Sequence, residues 1–365
     1  MRQPIDLQSL ERYIAAHVPE IQLPIQTISQ FGFGQSNPTY QITTSSGLKY
    51  VLRKKPPGKI VSKSAHKVER EYRILKALSG TDTPVPKTYC LCEDDSVLGT
   101  PFYIMEFLDG RIFEDPSFPE VSAEERMAMW REAMRTLARF HRVDFEAVGL
   151  GGYGRSGGFY ERQLETWKGL AAVQGAVVDQ GTKEAVGAVP GIEEMVAFFS
   201  SPGYKPRDRV SLVHGDFKID NLVYHKTEPR IIGILDWELS TIGHPLADIA
   251  NVLHPWTVNA LSPTVAQQLG FPSADHIRGL PSIAQCVEWY ANEARWNPTS
   301  ELKWADAFSL FRLSIIYQGI AARYAARQAT STKAREMGMA MYPCAQLARK
   351  VIRDIKYRTA DIARL

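Results

Sequence analysis

The stretch HGDFKIDNL, His214 to Leu222, decides how the rest of the chain is read. Ser211-Leu-Val213 precedes it and Val223-Tyr224 follows, so apolar residues on both sides predict strands. Between those strands sit His214, Asp216, Lys218, Asp220 and Asn221. Burying such groups without partners is costly. Either they satisfy one another in a sharp loop, or they hold something charged.

Downstream lies Ile231-Ile-Gly-Ile-Leu-Asp236-Trp-Glu238, an apolar strand that ends abruptly in a carboxylate. A magnesium ion bound with a nucleotide needs hard oxygen ligands, few of them from protein. A hydroxyl that accepts a phosphoryl group needs a carboxylate to orient it and take its proton. Asp216 fits the base, and Asn221 and Asp236 fit the metal ligands. The spacing of Asp216 and Asn221 is that of the catalytic Asp and metal-binding Asn of protein kinases, where a strand then delivers a second metal-binding Asp. Any one of these residues alone reads as an ordinary turn residue. The set together points to phosphoryl transfer. Glu238 fits either a third metal ligand or a solvent-facing side chain. His214 reads as a structural hydrogen-bonding residue of the loop. Asp248, in His244-Pro-Leu-Ala-Asp248, reads as a cap or brace from the start of a helix.

The first part of the chain supports this independently. Residues 6–18 predict an amphipathic helix with Leu7, Leu10, Ile14 and Val18 on one face. Strands around Ile25–Ile28, Tyr40–Ile42 and Tyr50–Leu52 form a meander, with Gly32, Gly34, Ser36 and Asn37 in its first loop. Backbone amides and a hydroxyl there could cap phosphates, although a plain hairpin loop fits as well. A helix over Ser64–Leu78 carries Glu71 on its apolar side, where a carboxylate wants a cation. Arg53, ending the third strand, is the candidate, with Lys54 on the opposite face by alternation. A solvated salt bridge is the plainer reading of that pair. Pro84–Leu108 adds two strands. Helices dominate from Ser122, over 122–143, 159–174, 192–199, 282–294, 303–328 and 333–357, interrupted by two short strand pairs within 209–239. The class is α+β, with two lobes flanking a cleft: residues 1–107 as a small antiparallel-sheet lobe and 108–365 as a large, mainly helical lobe.

Composition excludes several classes. Apolar residues make up 44% and charged residues 23% of the 365 residues, as in ordinary globular proteins. A net charge of +3 does not indicate nucleic acid binding. The four cysteines, Cys90, Cys92, Cys286 and Cys344, lack the spacing of zinc or redox pairs and read as reduced thiols. No apolar run approaches the roughly 20 residues of a membrane span. The first residues carry charges where a signal peptide has an apolar core, so a cytoplasmic protein is expected. Gly149-Leu-Gly-Gly-Tyr-Gly154 spells a dinucleotide-binding fingerprint, but a helix rather than a strand is expected before it, so it reads as a structural or acceptor-binding loop.

His214–Asn221 and Ile234-Leu-Asp236 resemble the aminoglycoside phosphotransferase/choline kinase branch of the protein-kinase-like fold, and Val68-Glu-Arg-Glu71 is similar to that branch's first-lobe helix. Tyr50–Gly58, Gly110–Phe113, Gly152-Tyr-Gly154, Arg162-Gln163 and Leu235–Leu246 narrow the resemblance to the kinase-like domain fused to acyl-CoA dehydrogenases in animals, family members 10 and 11. The likeness covers about residues 25 to 330. With no dehydrogenase portion in this sequence, it implies a stand-alone relative. It implies a kinase using ATP (or GTP) and Mg2+, with a small-molecule hydroxyl as acceptor and a 4-hydroxyacyl-CoA as the suggested class. The 1–107 lobe would bind the nucleotide. Ser36 and Asn37 would cap phosphates, and Met105–Leu108 would form a hinge whose backbone, at Glu106 and Leu108, reads the base. Arg53, steadied by Glu71, would contact phosphates. Asp216 would orient the acceptor, Lys218 would balance phosphoryl charge, and Asn221 and Asp236 would hold the metal. From Ile249 to Leu365 there are 14 Lys and Arg against 8 Asp and Glu, which suits an anionic acceptor better than a polycation. A kinase for an aminoglycoside or another small alcohol of the choline or homoserine type, and a non-catalytic nucleotide- or CoA-binding module, remain alternatives.

Overall fold

The computed structural model describes residues 5–32, 37–56, 67–271, 277–329, 331 and 333–362. The described elements run α1 (Leu7–His17), β1 (Ile25–Gln30), β2 (Thr39–Thr44), β3 (Lys49–Lys54), α2 (Val68–Leu78), β4 (Thr88–Cys92), α3 (Asp95–Leu98) and β5 (Phe102–Glu106). Then come α4 (Ala123–His141), α5 (Phe159–Gly175), α6 (Ile192–Ser200), β6 (Ser211–Val213), β7 (Leu222–Tyr224), β8 (Ile231–Ile234) and β9 (Thr241–Gly243). The chain ends in α7 (Leu246–Leu261), α8 (Pro263–Gln268), α9 (Ile283–Ala294), α10 (Thr299–Ala325), α11 (Ala334–Met339) and α12 (Met341–Ile362). It divides into two units. The first comprises residues 1–112, 143–152 and 220–240, and the second comprises 113–142, 153–219 and 241–365.

In the first unit the strands form an antiparallel sheet of order β1-β2-β3-β5-β4. α1 starts where Asp6 Oδ1 accepts from Ser9 N at 3.0 Å, an N-cap that satisfies an orphan amide. Its buried Leu10 and Ile14, four apart, join Ile42, Leu52, Phe102, Ile104 and Leu98 in one core. Lys54 lies on this face. It is buried, and its Nζ donates to Leu98 O at 2.8 Å. Burial lowers its pKa. Arg53 alternates to the other face, toward α2. The buried stripe of α2 is Val68, Glu71, Ile74, Leu75 and Leu78, so Glu71 sits within it, and Tyr72 is only partly buried. Ser36 and the expected start of that helix at Ser64 lie outside the described residues.

The same unit holds the β7–β8 hairpin, with Leu222 opposite Ile234. Arg111 pairs with Tyr224 through both backbone bonds, 2.7 and 2.8 Å. Gly110 makes that approach possible, because a Cβ there would stand 2.3 Å from Tyr224 O.

The second unit is helical apart from the β6–β9 pair. The strand pairing therefore reaches past the predicted window, since β6 takes its partner from Thr241–Gly243. α7, which carries Pro255 inside it, and α8 follow where no span was drawn from sequence. The single helix expected over 333–357 is two, α11 and α12, separated at Ala340. α10 packs along α12, where Ala345, Ala348 and Ile352 are fully buried. Tyr160, Phe199, Trp304, Phe308 and Phe311 form an aromatic core, with Trp304 and Phe308 stacked at 5.4 Å.

Candidate active site

Arg53 is the hub of the first unit's polar interior. Its Nε lies 2.9 Å from Glu71 Oε2, an ion pair without hydrogen-bond alignment. Its Nη2 donates to Asp236 Oδ1 at 2.9 Å and to Glu238 Oε2 at 3.4 Å. Glu71 is 1% exposed and accepts from Asn37 Nδ2 at 2.7 Å and from Tyr103 OH at 3.0 Å. Burial pushes the Glu71 carboxyl up to about 7, against the downward pull of Arg53. Burial opposes the charge on Arg53, but Glu71 and its neighbours outweigh it and raise the guanidinium's pKa. A lysine at residue 53 would offer one ammonium. The planar fork offers five donors and meets three carboxylates at once.

Asn221 and Asp236 are brought to one end of the β7–β8 hairpin. Leu235 N donates to Asn221 O at 2.8 Å. Asp236 itself adopts the left-handed conformation (φ 63°, ψ 62°), uncommon for a residue with a side chain and frequent at functional positions. The indole of Trp237, 2% exposed, anchors this turn by donating to Ile234 O at 2.8 Å. The Asp236 side chain stays 38% exposed. Among the described residues no group of three or more His, Cys, Asp or Glu side chains is arranged to hold a metal ion. An amide oxygen and a partly exposed carboxylate fit a hard cation whose remaining ligands are phosphate and water.

Asp216 and Lys218 belong to the second unit. Lys218 Nζ lies 3.6 Å from Asp216 Oδ2, with side chains 42% and 30% exposed. The loop beneath them is fixed from α7. The buried Asp248 accepts from His214 N at 2.7 Å and Gly215 N at 2.8 Å, and its Oδ2 is 3.1 Å from His141 Nε2. Burial pushes the Asp248 carboxyl up, but these bonds and the nearby histidines outweigh it and hold it below the ordinary range. Asn251, one turn on, donates from Nδ2 to Phe217 O at 3.1 Å. His214 is fully buried, and its Nδ1 accepts from Asp216 N at 3.2 Å. Gly215 takes φ +85°, which favours glycine.

Glu106 is tied to Lys87, donating from its backbone N to Lys87 O at 2.8 Å and accepting from Lys87 N at Oε2, 3.1 Å. Leu108 O accepts from Gly110 N at 3.1 Å, and the Leu108 side chain lies over Gly233, which leaves no room for a Cβ there. The stretch Gly149–Gly154 follows α4 and a turn, and α5 opens only at Phe159. Sequence reasoning missed Tyr103 and His141. Tyr103 becomes visible only once register sets it opposite Arg53. Asp248 and Asn251, three apart on one helix, were a readable signal that Asn251 shares the bracing face.

The model of the phosphotransferase enzyme family (APH) matches residues 27–282. A Ralstonia eutropha protein, provisionally named an aminoglycoside phosphotransferase, has a crystal structure that is 36% identical, with a TM-score of 0.82 over 96% of this chain and 99% of that one. The ADP-bound aminoglycoside phosphotransferase APH(2'')-Ib, 16% identical with a TM-score of 0.59 over 94% of this chain and 99% of its own, shares the kinase-like fold. Among curated relatives, Arabidopsis thaliana IBR3, provisionally named an acyl-CoA dehydrogenase, is 41% identical over 86% of this chain and 38% of its own length. Acyl-CoA dehydrogenase family member 11 of Gallus gallus is 38% identical over 93% of this chain and 43% of its own. The chain thus spans about two-fifths of the length of these curated relatives. A five-stranded antiparallel sheet followed by helices, matched in fold and in sequence to these proteins, has one reading: the chain belongs to the phosphotransferase enzyme family.

Proposed function

We propose that the chain transfers the terminal phosphoryl group of ATP to the hydroxyl of a small molecule, with a 4-hydroxyacyl-CoA as the acceptor class. The observation that carries this is the loop 214–217, held through its backbone by Asp248 and Asn251 while the Asp216 carboxylate stays partly exposed. Asp216 would orient the acceptor hydroxyl and take its proton at a carboxylate oxygen as the oxygen–phosphorus bond forms and ADP departs. Lys218 would offset charge on the transferring group. Arg53 would contact phosphates, and residues 1–107 would form the nucleotide-binding part, with the backbone at Glu106 and Leu108 reading the base. Asn221 and Asp236 would hold Mg2+, which would supply positive charge to offset that of the phosphates. The 108–365 part would bind the acceptor.

The names of the relatives support an acyl-CoA acceptor, and the excess of basic residues after Ile249 suits an anion. The names of the solved neighbours favour the second reading, an aminoglycoside acceptor. Purified protein is assayed for ATP-dependent phosphate incorporation into 4-hydroxyacyl-CoA and into kanamycin. The first is expected; kanamycin activity with none on CoA esters would reverse the acceptor. Asp216→Asn is expected to bind ATP normally and to lose turnover by orders of magnitude, and normal turnover would reject its role.

A further inference from the structure

A small cavity in the second unit, walled by both polar and apolar side chains, has no part in the chemistry described above. Its volume is about 20 Å3, room for one water-sized group, and Tyr160, Gln163, Ala247, Ala250, Ser309 and Arg312 are among its walls. Tyr160 is 8% exposed, and its hydroxyl is buried with no hydrogen-bond partner among the described residues. A buried hydroxyl left in that state is costly, and it wants an acceptor. Arg312 gives one donor, Nη2, to Asn251 Oδ1 at 3.2 Å. It has no carboxylate at ion-pair distance among the described residues, so a partly buried cation meets a neutral amide where an anion would suit it better. Gln163 Oε1 already accepts from Trp167 Nε1 at 3.0 Å, and Ser309 Oγ lies 3.4 Å from His254 Nδ1. The Tyr160 hydroxyl, without a partner among the described residues, and the Arg312 guanidinium thus line the same oxygen-sized space.

The cavity is also linked to Asp216. Phe217 O, one residue from Asp216, is held by Asn251 Nδ2 at 3.1 Å, and the other end of the same carboxamide holds Arg312. One side-chain amide thus separates the guanidinium from the loop backbone, and the fields of Asp216 and Asp248 reach it.

We propose that this cavity is the acyl-oxygen subsite of the acceptor, in which Arg312 and the Tyr160 hydroxyl donate to the carbonyl or carboxylate oxygen of a hydroxylated acyl compound. This rests on the reading of Asp216 as the group that meets the acceptor hydroxyl. The same guanidinium repels the ammonium groups of an aminoglycoside.

The test compares 4-hydroxypentanoyl-CoA, free 4-hydroxypentanoate and 1,4-pentanediol, which keeps the alcohol and lacks the acyl oxygen. Arg312→Met and Tyr160→Phe are expected to lower kcat/KM for the acyl acceptors about ten- to hundred-fold, mainly through KM, the worth of a hydrogen bond to a charged group. Turnover of the diol should stay unchanged in both. Equal losses on the diol would mean that Arg312 acts only through the field at Asp216; either that outcome or no loss on any acceptor would overturn the subsite. Whichever of thioester and free acid wild type prefers identifies the oxygen as carbonyl or carboxylate. Arg312→Lys, which keeps the charge but not the fork, stands in if Arg312→Met melts early. If wild type phosphorylates none of the three, the reading of Asp216 fails and the subsite is judged by calorimetry with 4-hydroxypentanoate. Binding lost in Arg312→Met sustains it; equal binding, or none in wild type, sinks it.

Discussion

Asp248 illustrates how one side chain can shape a loop it does not belong to. Fully buried, it takes two backbone amides and faces His141, and its carboxyl titrates below the ordinary range. A folded-state pKa below the unfolded one contributes stability above the ordinary carboxylate value of about 3.9, and that stability is lost as pH falls through the folded value. Wild type should therefore lose stability below about pH 4 more steeply than Asp248→Asn, which has no carboxylate to protonate there. Near neutral pH the variant should be less stable by about 3 kcal/mol, because its amide turns a donor toward donors. Urea melts from pH 3 to 7 check both statements, and parallel curves would refute them. Among single residues, Asp216, Asn221 and Asp236 could be singled out from sequence because their chemistry and spacing are local. The partners Tyr103 and Asn37 of Glu71 were not, since both come from distant segments that only sheet register brings together.

At the scale of elements, the meander β1–β3 and α1 were legible from alternation and from a four-residue apolar period. β9 and α7 were not. Three residues, Thr241–Gly243, are too few for a period, and Pro255 inside α7 mimics a helix stop. The division of α11 from α12 at Ala340 carries no proline or glycine at the break itself. Gly110 shows what pairing demands of sequence. Gly110→Ala places a methyl 2.3 Å from Tyr224 O, and the pairing of Arg111 with β7 has to give. A loss of about 1–3 kcal/mol is expected from overpacking. Denaturant melts measure it, with protection of the Arg111 and Tyr224 amides from hydrogen exchange as the local readout. Unchanged protection would show that the strand tolerates the methyl.

Across the whole molecule, the fold class and the family were legible because the site motifs constrain the elements that carry them. The subdivision was less so, since residues 143–152 and 220–240 join the first unit from within the second half of the chain. No helix among the described residues is long and apolar enough to cross a membrane. Nucleotide linkage is a global readout. Mg-ADP at a hundred times its Kd should stabilise the protein by about 2.7 kcal/mol. In Asp236→Asn the magnesium-dependent part of the melting shift should vanish, and a full shift there would remove Asp236 from the metal. The brace on residues 214–217 has one more consequence. Asp248 and Asn251 grip the loop through its main chain at His214, Gly215 and Phe217, so its curvature does not depend on the partly exposed side chains of Asp216 and Lys218. Positions 216 and 218, on either side of the buried Phe217, could be randomised in a library with the bend retained, and reactivity could drift while the architecture beneath it stands still.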